Sequence, residues 1–109
     1  MDVVIKRFEV WLVTLDPTVG HEMQKQRPCE IISTDEMNQW AGTAIIAPLT
    51  STIRDLQFRV KTKFDGKNGE IAVDHLRSVD KSRLTKKVGQ IDKTTEVQLT
   101  AKLIAMFAN

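Results

Sequence analysis

Apolar and polar residues follow two different periods along this chain. Most of it holds short runs of β-forming and apolar residues between turn signals, with a two-residue alternation at Gln57 to Thr62, and the last segment changes to the period of a helix. Residues 1–8 read as a short lead-in. The run from Glu9 to Asp16 is rich in β-formers (Val10, Trp11, Val13) and stops at Asp16-Pro17, a turn signal. Pro17 to Pro28 holds a glycine, two prolines and many polar groups, and reads as a loop. Cys29 to Thr34 reads as a strand. Asp35 is placed to cap a short helix, Glu36 to Trp40, ending before Gly42. Thr43 to Leu49 is a second apolar strand, and its Pro48, having no N–H to give a ladder, belongs at an edge or a bulge. Thr50-Ser51-Thr52 leaves that strand as a polar turn. Gln57 to Thr62 alternates polar and apolar. Gly66 to Gly69 is a turn and Glu70 to Asp74 another strand. Leu76 to Ile91 mixes β-formers with lysines and arginines and carries one or two short strands.

After Asp92, a candidate cap, Val97, Ala101, Ile104 and Ala108 fall on one helical face with Leu99, Leu103 and Met106 on its flank. That stripe is wide enough to bury against a sheet. Short strands followed by a C-terminal helix give an α+β class: a curved antiparallel sheet or small barrel with helices packed on it.

Composition narrows the function. The 109 residues fit a single domain spanning 1–109. A net charge of +2 permits a nucleic-acid partner without demanding one. A lone cysteine, Cys29, excludes an intramolecular disulfide framework and a multi-cysteine metal site, and reads as a buried strand thiol. Two histidines, His21 and His75, are too few for a histidine-rich metal centre. Tyrosine is absent and aromatics are 6%, against a platform of stacked rings. Neither a leader pattern nor a run of about 18 apolar residues stands out, so a cytoplasmic protein without a membrane partner is expected. The Pro17–Pro28 loop is longer than the 2–5 residues or so usual for a hairpin, and long loops in small domains carry function more often than most segments.

Three ordered blocks then carry a resemblance. Glu9-Val10-Trp11-Leu12-Val13 leads to Leu15-Asp16-Pro17-Thr18-Val19-Gly20-His21-Glu22 and Gln26-Arg27-Pro28. Ala47-Pro48-Leu49-Thr50-Ser51 follows, and then Val73-Asp74-His75-Leu76-Arg77-Ser78-Val79-Asp80 with Lys81-Ser82-Arg83-Leu84. Their order and spacing, from about Phe8 onward, resemble the MazF/PemK/Kid toxins, with an acidic–apolar–Trp strand, a D-P-x-x-G-x-E segment, R-P, V-P-x-T-S and D-Q-h-R-T/S-h (h apolar). The resemblance implies a compact SH3-like barrel with short helices and a C-terminal helix (CcdB/PemK-like). It also implies a homodimer that cuts single-stranded RNA without metal or other cofactor and is held inactive by a cognate antitoxin protein.

Such cleavage uses the RNA's own 2′-hydroxyl as nucleophile. The protein must accept that proton, protonate the departing 5′-oxygen and place donors on the phosphate as its charge grows. The products are a 2′,3′-cyclic phosphate and a 5′-hydroxyl. Guanidinium offers forked, permanently charged donors suited to phosphate, and Arg27 matches the family's catalytic arginine. Pro28 restricts Arg27 to extended backbone and helps aim it. Thr50 matches the threonine that contacts the scissile phosphate. Asp74 matches a residue that accepts a proton in some members and contacts RNA in others. His21 occupies a position that is often histidine. These four are the catalytic candidates. Glu22, Gln26, Ser51, His75 and Arg77 are the substrate-binding candidates, with Glu22 also suited to positioning Arg27.

Each has a plainer alternative: an Arg27–Glu22 pair fixing the loop, a Ser/Thr turn at Thr50, a cap at Asp74, a solvated loop histidine at His21. Trp11 is expected in the core, and Trp40 either against the short helix or in a contact with a partner or a second copy. Arg77, Lys81, Arg83, Lys86 and Lys87 either track an RNA backbone or form a solvated basic face. Two departures stand out. His75 replaces the usual glutamine, and Ala72 stands where a Kid-like member carries a second catalytic arginine, so the Arg–Asp pair two residues apart is incomplete. That favours Arg27 with Thr50 as the working pair. The competing readings are a CcdB-like DNA gyrase poison and an inactive antitoxin-binding homologue. The first works through an aromatic-rich tail, whereas this chain ends Ala105-Met106-Phe107-Ala108-Asn109.

Overall fold

The computed structural model describes residues 4–15 and 25–109. Seven strands make one curled antiparallel sheet: β1 (Glu9–Thr14), β2 (Gln26–Ile31), β3 (Thr43–Thr50), β4 (Arg59–Phe64), β5 (Lys67–Ala72), β6 (Arg77–Asp80) and β7 (Leu84–Gln90). Two α-helices, α1 (Asp35–Trp40) and α2 (Lys93–Phe107), and 3-10 turns at Val73–His75 and Lys81–Arg83 complete the described elements. The order across the sheet is β4-β5-β3-β2-β1-β7, with β6 also paired to β3. This is the expected α+β half-barrel with a C-terminal helix. Its two edge strands approach through side chains. A Cβ at Gly89 of β7 would lie 2.7 Å from the Phe64 ring of β4, so glycine leaves room for that ring where the sheet curls round.

Both faces of the sheet are covered. Trp11, Val13, Cys29, Ile31, Ile46 and Val79 fill one core; Val10, Ala47, Leu49, Val60, Ile71 and Leu99 fill the other. Residue-by-residue alternation sends Val10 one way and Trp11 the other, which is why β3 is apolar almost throughout. Trp11 is in the core, and its indole N–H donates to Glu9 Oε1 at 3.1 Å. Trp40 is 78% exposed, so of its two readings the packing against α1 fails.

Several boundaries move. The loop expected from Pro17 to Pro28 already turns into strand at Gln26, so Arg27 and Pro28 sit inside β2, paired with Val13 and Leu12. Thr34 caps α1, its hydroxyl oxygen accepting from Met37 N–H at 3.2 Å, while Asp35 accepts the Arg7 N–H at 2.7 Å. Pro48 is not at an edge. β3 pairs with β6 up to Ile46 and with β5 from Leu49, and Pro48 lies in the interval where neither needs a donor. The tight turn is Asp65-Gly66, with φ of 53° and 74°, joining Phe64 directly to its partner Lys67.

Asp92 caps α2 as expected, accepting from Thr95 N–H at 2.9 Å. The expected buried face is wrong: Val97 and Ile104 are 60% and 63% exposed, and Ala101 and Ala108 are exposed too. Thr95, Leu99 and Leu103 turn inward instead, in step with buried Ile91 just before the cap, which sets the rotational phase of the helix.

Candidate active site

The β2–β3 ladder ends at Cys29↔Pro48. Run on by two residues along each strand, that register leads to Arg27 and Thr50, far apart in sequence. Both line one cavity of about 640 Å³. Leu15, Pro48, Thr52, Arg54, Leu56, Arg59, Ala72, Asp74, His75 and Arg77 line the rest of it. Four guanidinium groups therefore surround one carboxylate and one imidazole, an arrangement suited to an anion with several oxygens.

Thr50 holds the junction with a second cleft of about 380 Å³, lined by Leu12, Pro28, Leu49, Phe64, Val88 and others, including Ser51. The Thr50 hydroxyl oxygen accepts the Thr52 N–H at 3.1 Å, which is the turn expected from sequence, and its own O–H stays available to donate. Gly69 of β5 is pressed against the same point, since a Cβ there would lie 2.3 Å from the Thr50 carbonyl oxygen.

Arg54 comes from the segment between β3 and β4. That segment is held by Glu70, a fully buried residue of β5, whose Oε1 and Oε2 accept the N–H groups of Arg54 and Asp55, each at 3.0 Å. Asp55 takes the left-handed conformation, φ 56°, that this grip requires.

Asp74 lies in the 3-10 turn after β5 rather than in the strand itself. Arg59 Nε donates to its Oδ1 at 2.7 Å and Nη2 to its Oδ2 at 3.1 Å. His75 Nε2 lies 3.5 Å from Oδ2. Burial works to raise the Asp74 carboxyl, but the Arg59 hydrogen bond, a backbone hydrogen bond and the Arg59 and His75 charges outweigh it and hold it below the usual carboxylate range. Arg59 stands directly across the β4–β5 ladder from Ala72. The Arg–Asp pair expected to be incomplete is thus formed, with its arginine delivered from a neighbouring strand.

Of the sequence candidates, Arg27, Thr50, Asp74, His75 and Arg77 share the cavity, Ser51 lines the adjoining cleft, and Gln26 is exposed at the start of β2 and lines neither. His21 and Glu22 lie outside the described residues. Arg54 and Arg59 were missed. Arg59 had one signal, its place in an alternating strand opposite Ala72, but reading it requires the register.

The basic residues expected as a possible backbone track are partly spent on the fold. The Lys81 ammonium donates to the Asn38 carbonyl. Arg83 Nη1 donates to the Thr14 and Leu15 carbonyls at 3.2 and 2.8 Å, and Lys87 pairs with Glu9 at 2.7 Å. Cys29 is fully buried, and burial pushes its thiol up to about 12. No group of three His, Cys, Asp or Glu side chains gathers to hold a metal among the described residues. No described helix is long and apolar enough to cross a membrane.

Comparison with known proteins gives a consistent picture. A family model described as the PemK-like, MazF-like toxin of type II toxin–antitoxin systems matches residues 6–107. The chain is 32% identical over 95 residues to endoribonuclease EndoA of Bacillus subtilis, covering 82% of each. It is 31% identical over 105 residues to endoribonuclease PemK of Escherichia coli, covering 91% of this chain and 79% of that one. Among solved structures it is similar to a MazE–MazF complex from Deinococcus radiodurans (TM-score 0.82, 25% identity, 96% of each chain). It also resembles MazF from the same organism (TM-score 0.80, 24% identity, 99% of this chain and 100% of that one).

Proposed function

Because the chain belongs to the PemK-like, MazF-like toxins of type II toxin–antitoxin systems, a family of endoribonucleases, we propose that it cleaves single-stranded RNA at short sequences, without a metal, at the arginine-lined cavity. One observation carries this reading: Arg27 and Thr50, from adjacent strands, meet three further arginines, one carboxylate and one histidine around a single cavity.

In this reading the scissile phosphate sits between Arg27 and Thr50. The Arg27 fork donates to the non-bridging oxygens, where charge grows as the 2′-oxygen closes on phosphorus, and the Thr50 hydroxyl donates to the same group. The 2′-hydroxyl loses its proton to a base of the cavity, the bond from phosphorus to the 5′-oxygen breaks, and that oxygen leaves protonated. Arg54 and Arg77 extend the positive lining toward the flanking phosphates. Asp74 and His75 are the candidate proton-handling groups of the cavity, with His21 a further candidate from the sequence. A cognate antitoxin that holds the enzyme inactive, and a second copy of the chain forming a homodimer, are the protein partners that go with this reading.

The test is incubation of the purified protein with a long single-stranded RNA in EDTA, with the ends mapped. Cleavage giving 2′,3′-cyclic phosphate and 5′-hydroxyl ends is expected. Cleavage that appears only after magnesium is added, or that leaves 5′-phosphates, refutes the proposal.

A further inference from the structure

Arg59 is poorly suited to simple phosphate binding. Its side chain is only 8% exposed. Its fork is fully engaged with both oxygens of Asp74, and Nη1 lies 3.6 Å from Glu70 Oε1 behind it. Glu70 in turn is fully buried and tied to the backbone of Arg54 and Asp55. A charged chain of contacts thus runs from the interior through Arg59 to Asp74 and ends at His75, whose side chain is 65% exposed at the cavity.

A carboxylate gripped on both oxygens by a guanidinium keeps its charge and is a poor proton acceptor. It is well suited to a different task, holding an imidazole in one tautomer and orientation and stabilising the imidazolium when that forms. Imidazole is also the side chain that exchanges protons near neutral pH. Asp74 Oδ2 lies 3.5 Å from Nε2 of His75, an ion-pair contact when the imidazole is protonated and longer than a hydrogen bond, and Nδ1 is the nitrogen Asp74 does not engage.

We propose that Arg59 is a positioning residue of this site: it fixes Asp74, and Asp74 holds His75 as the acceptor of the 2′-hydroxyl proton. The proposal rests on the RNA-cleavage reading above. In the step, the 2′-hydroxyl proton passes to Nδ1 as the bond from the 2′-oxygen to phosphorus forms. The bond to the 5′-oxygen breaks, that oxygen takes a proton from water, and the imidazolium returns its own to the hydroxide left behind. The charged groups that line the cavity with His75 are Asp74 beside it, Arg27 from β2, Arg54 from the β3–β4 segment, Arg59 from β4 and Arg77 from β6.

The experiment is single-turnover cleavage of a short RNA across pH 5 to 9 by wild type, His75→Gln, Arg59→Ala, Arg59→Lys and the Arg59→Ala/His75→Gln double variant. Wild-type activity is expected to rise with pH and then level off. His75→Gln should lose about 10²-fold and with it that rising limb. Arg59→Ala should lower the saturating single-turnover rate about 10- to 100-fold with the half-saturating concentration within about threefold, as a misplaced catalytic group does. Arg59→Lys should not rescue it, because an ammonium lacks the fork. The double variant should be no slower than the worse single, since both act through one group.

A His75→Gln enzyme with wild-type rate and pH profile overturns the proposal, as do losses that multiply in the double variant. If Arg59→Ala fails to fold, Asp74→Asn, of the same shape without the charge, takes its place. An NMR titration of His75 without RNA keeps the two readings apart. A titration altered by Arg59→Ala or Asp74→Asn in a protein that cleaves nothing leaves the relay standing and defeats the RNA reading. An unaltered titration in an active enzyme defeats the relay alone.

Discussion

Glu30 offers the sharpest test of how this fold bears its charges. It lies in β2, fully buried, and neither of its carboxylate oxygens has a hydrogen-bond partner. Burial, reinforced by the negative charge of Glu96 and only partly offset by Arg7, raises its pKa from the usual 4.5 to about 8. At neutral pH the folded protein therefore keeps Glu30 protonated, whereas the unfolded chain ionises it. Between these values the native state binds more protons, so stability must fall as pH rises through the window, and the loss is complete above about pH 8. Each unit of displacement corresponds to about 1.36 kcal/mol, so the whole window is worth about 5 kcal/mol, and the stretch from pH 5.5 to 7.5 about 3.

The perturbation is Glu30→Met, which keeps the volume and removes the titration. Urea unfolding at half-unit pH steps is the assay. With a slope of about 1.5 kcal/mol/M, the wild-type midpoint should drop by roughly 2 M from pH 5.5 to 7.5. The variant should show almost none of that drop and should be the more stable protein at pH 7.5. Glu9, Asp74, Asp80 and Asp92 are held below the usual carboxylate range and Cys29 is pushed up to about 12, so none of these titrates inside the window. His21 and His75 are common to both proteins and cancel in the difference. A wild type whose stability is flat or rising from pH 5.5 to 7.5, or a variant with the wild-type slope, would refute the reasoning.

Other outcomes follow from the site. Arg27→Ala should reduce cleavage about 10²- to 10³-fold in a protein that melts as the wild type does, and a rate within tenfold of wild type removes Arg27 from the phosphate. Gly69→Ala should displace Thr50, because its Cβ would lie 2.3 Å from the Thr50 carbonyl oxygen; a cost of about 1–3 kcal/mol in thermal unfolding and a fall in kcat are expected, and an unchanged enzyme would show that the β3–β5 contact does not set Thr50. An antitoxin segment carrying carboxylates should compete with RNA for the arginine-lined cavity. In a titration with RNA bearing a 2′-deoxy residue at the cut site, simultaneous binding without mutual weakening would place the antitoxin elsewhere.

Much of the architecture was legible in the residues. Runs of β-formers mark β1 and most of the other strands, the alternation at Gln57 to Thr62 marks β4, and Asp92 announces the helix that follows it, because composition, period and capping are local properties of the chain. Of the residues that carry the resemblance, Arg27, Thr50 and Asp74 come together at one cavity. What periodicity does not encode is phase and partnership. Val97 and Ile104 have the helical spacing of a buried seam, yet α2 turns Leu99 inward, since its rotation is set by Ile91 and by the sheet beneath it. Glu30 looks like the polar member of an alternating strand, but the sheet is covered on both faces and no position on β2 there is left for solvent. Arg59 and Asp74 are 15 residues apart. They form a pair because an antiparallel register sets Arg59 across from Ala72, two residues before Asp74. Hydrogen bonding between strands selects that register from contacts distant in sequence, so the tertiary structure alone decided which arginine grips Asp74.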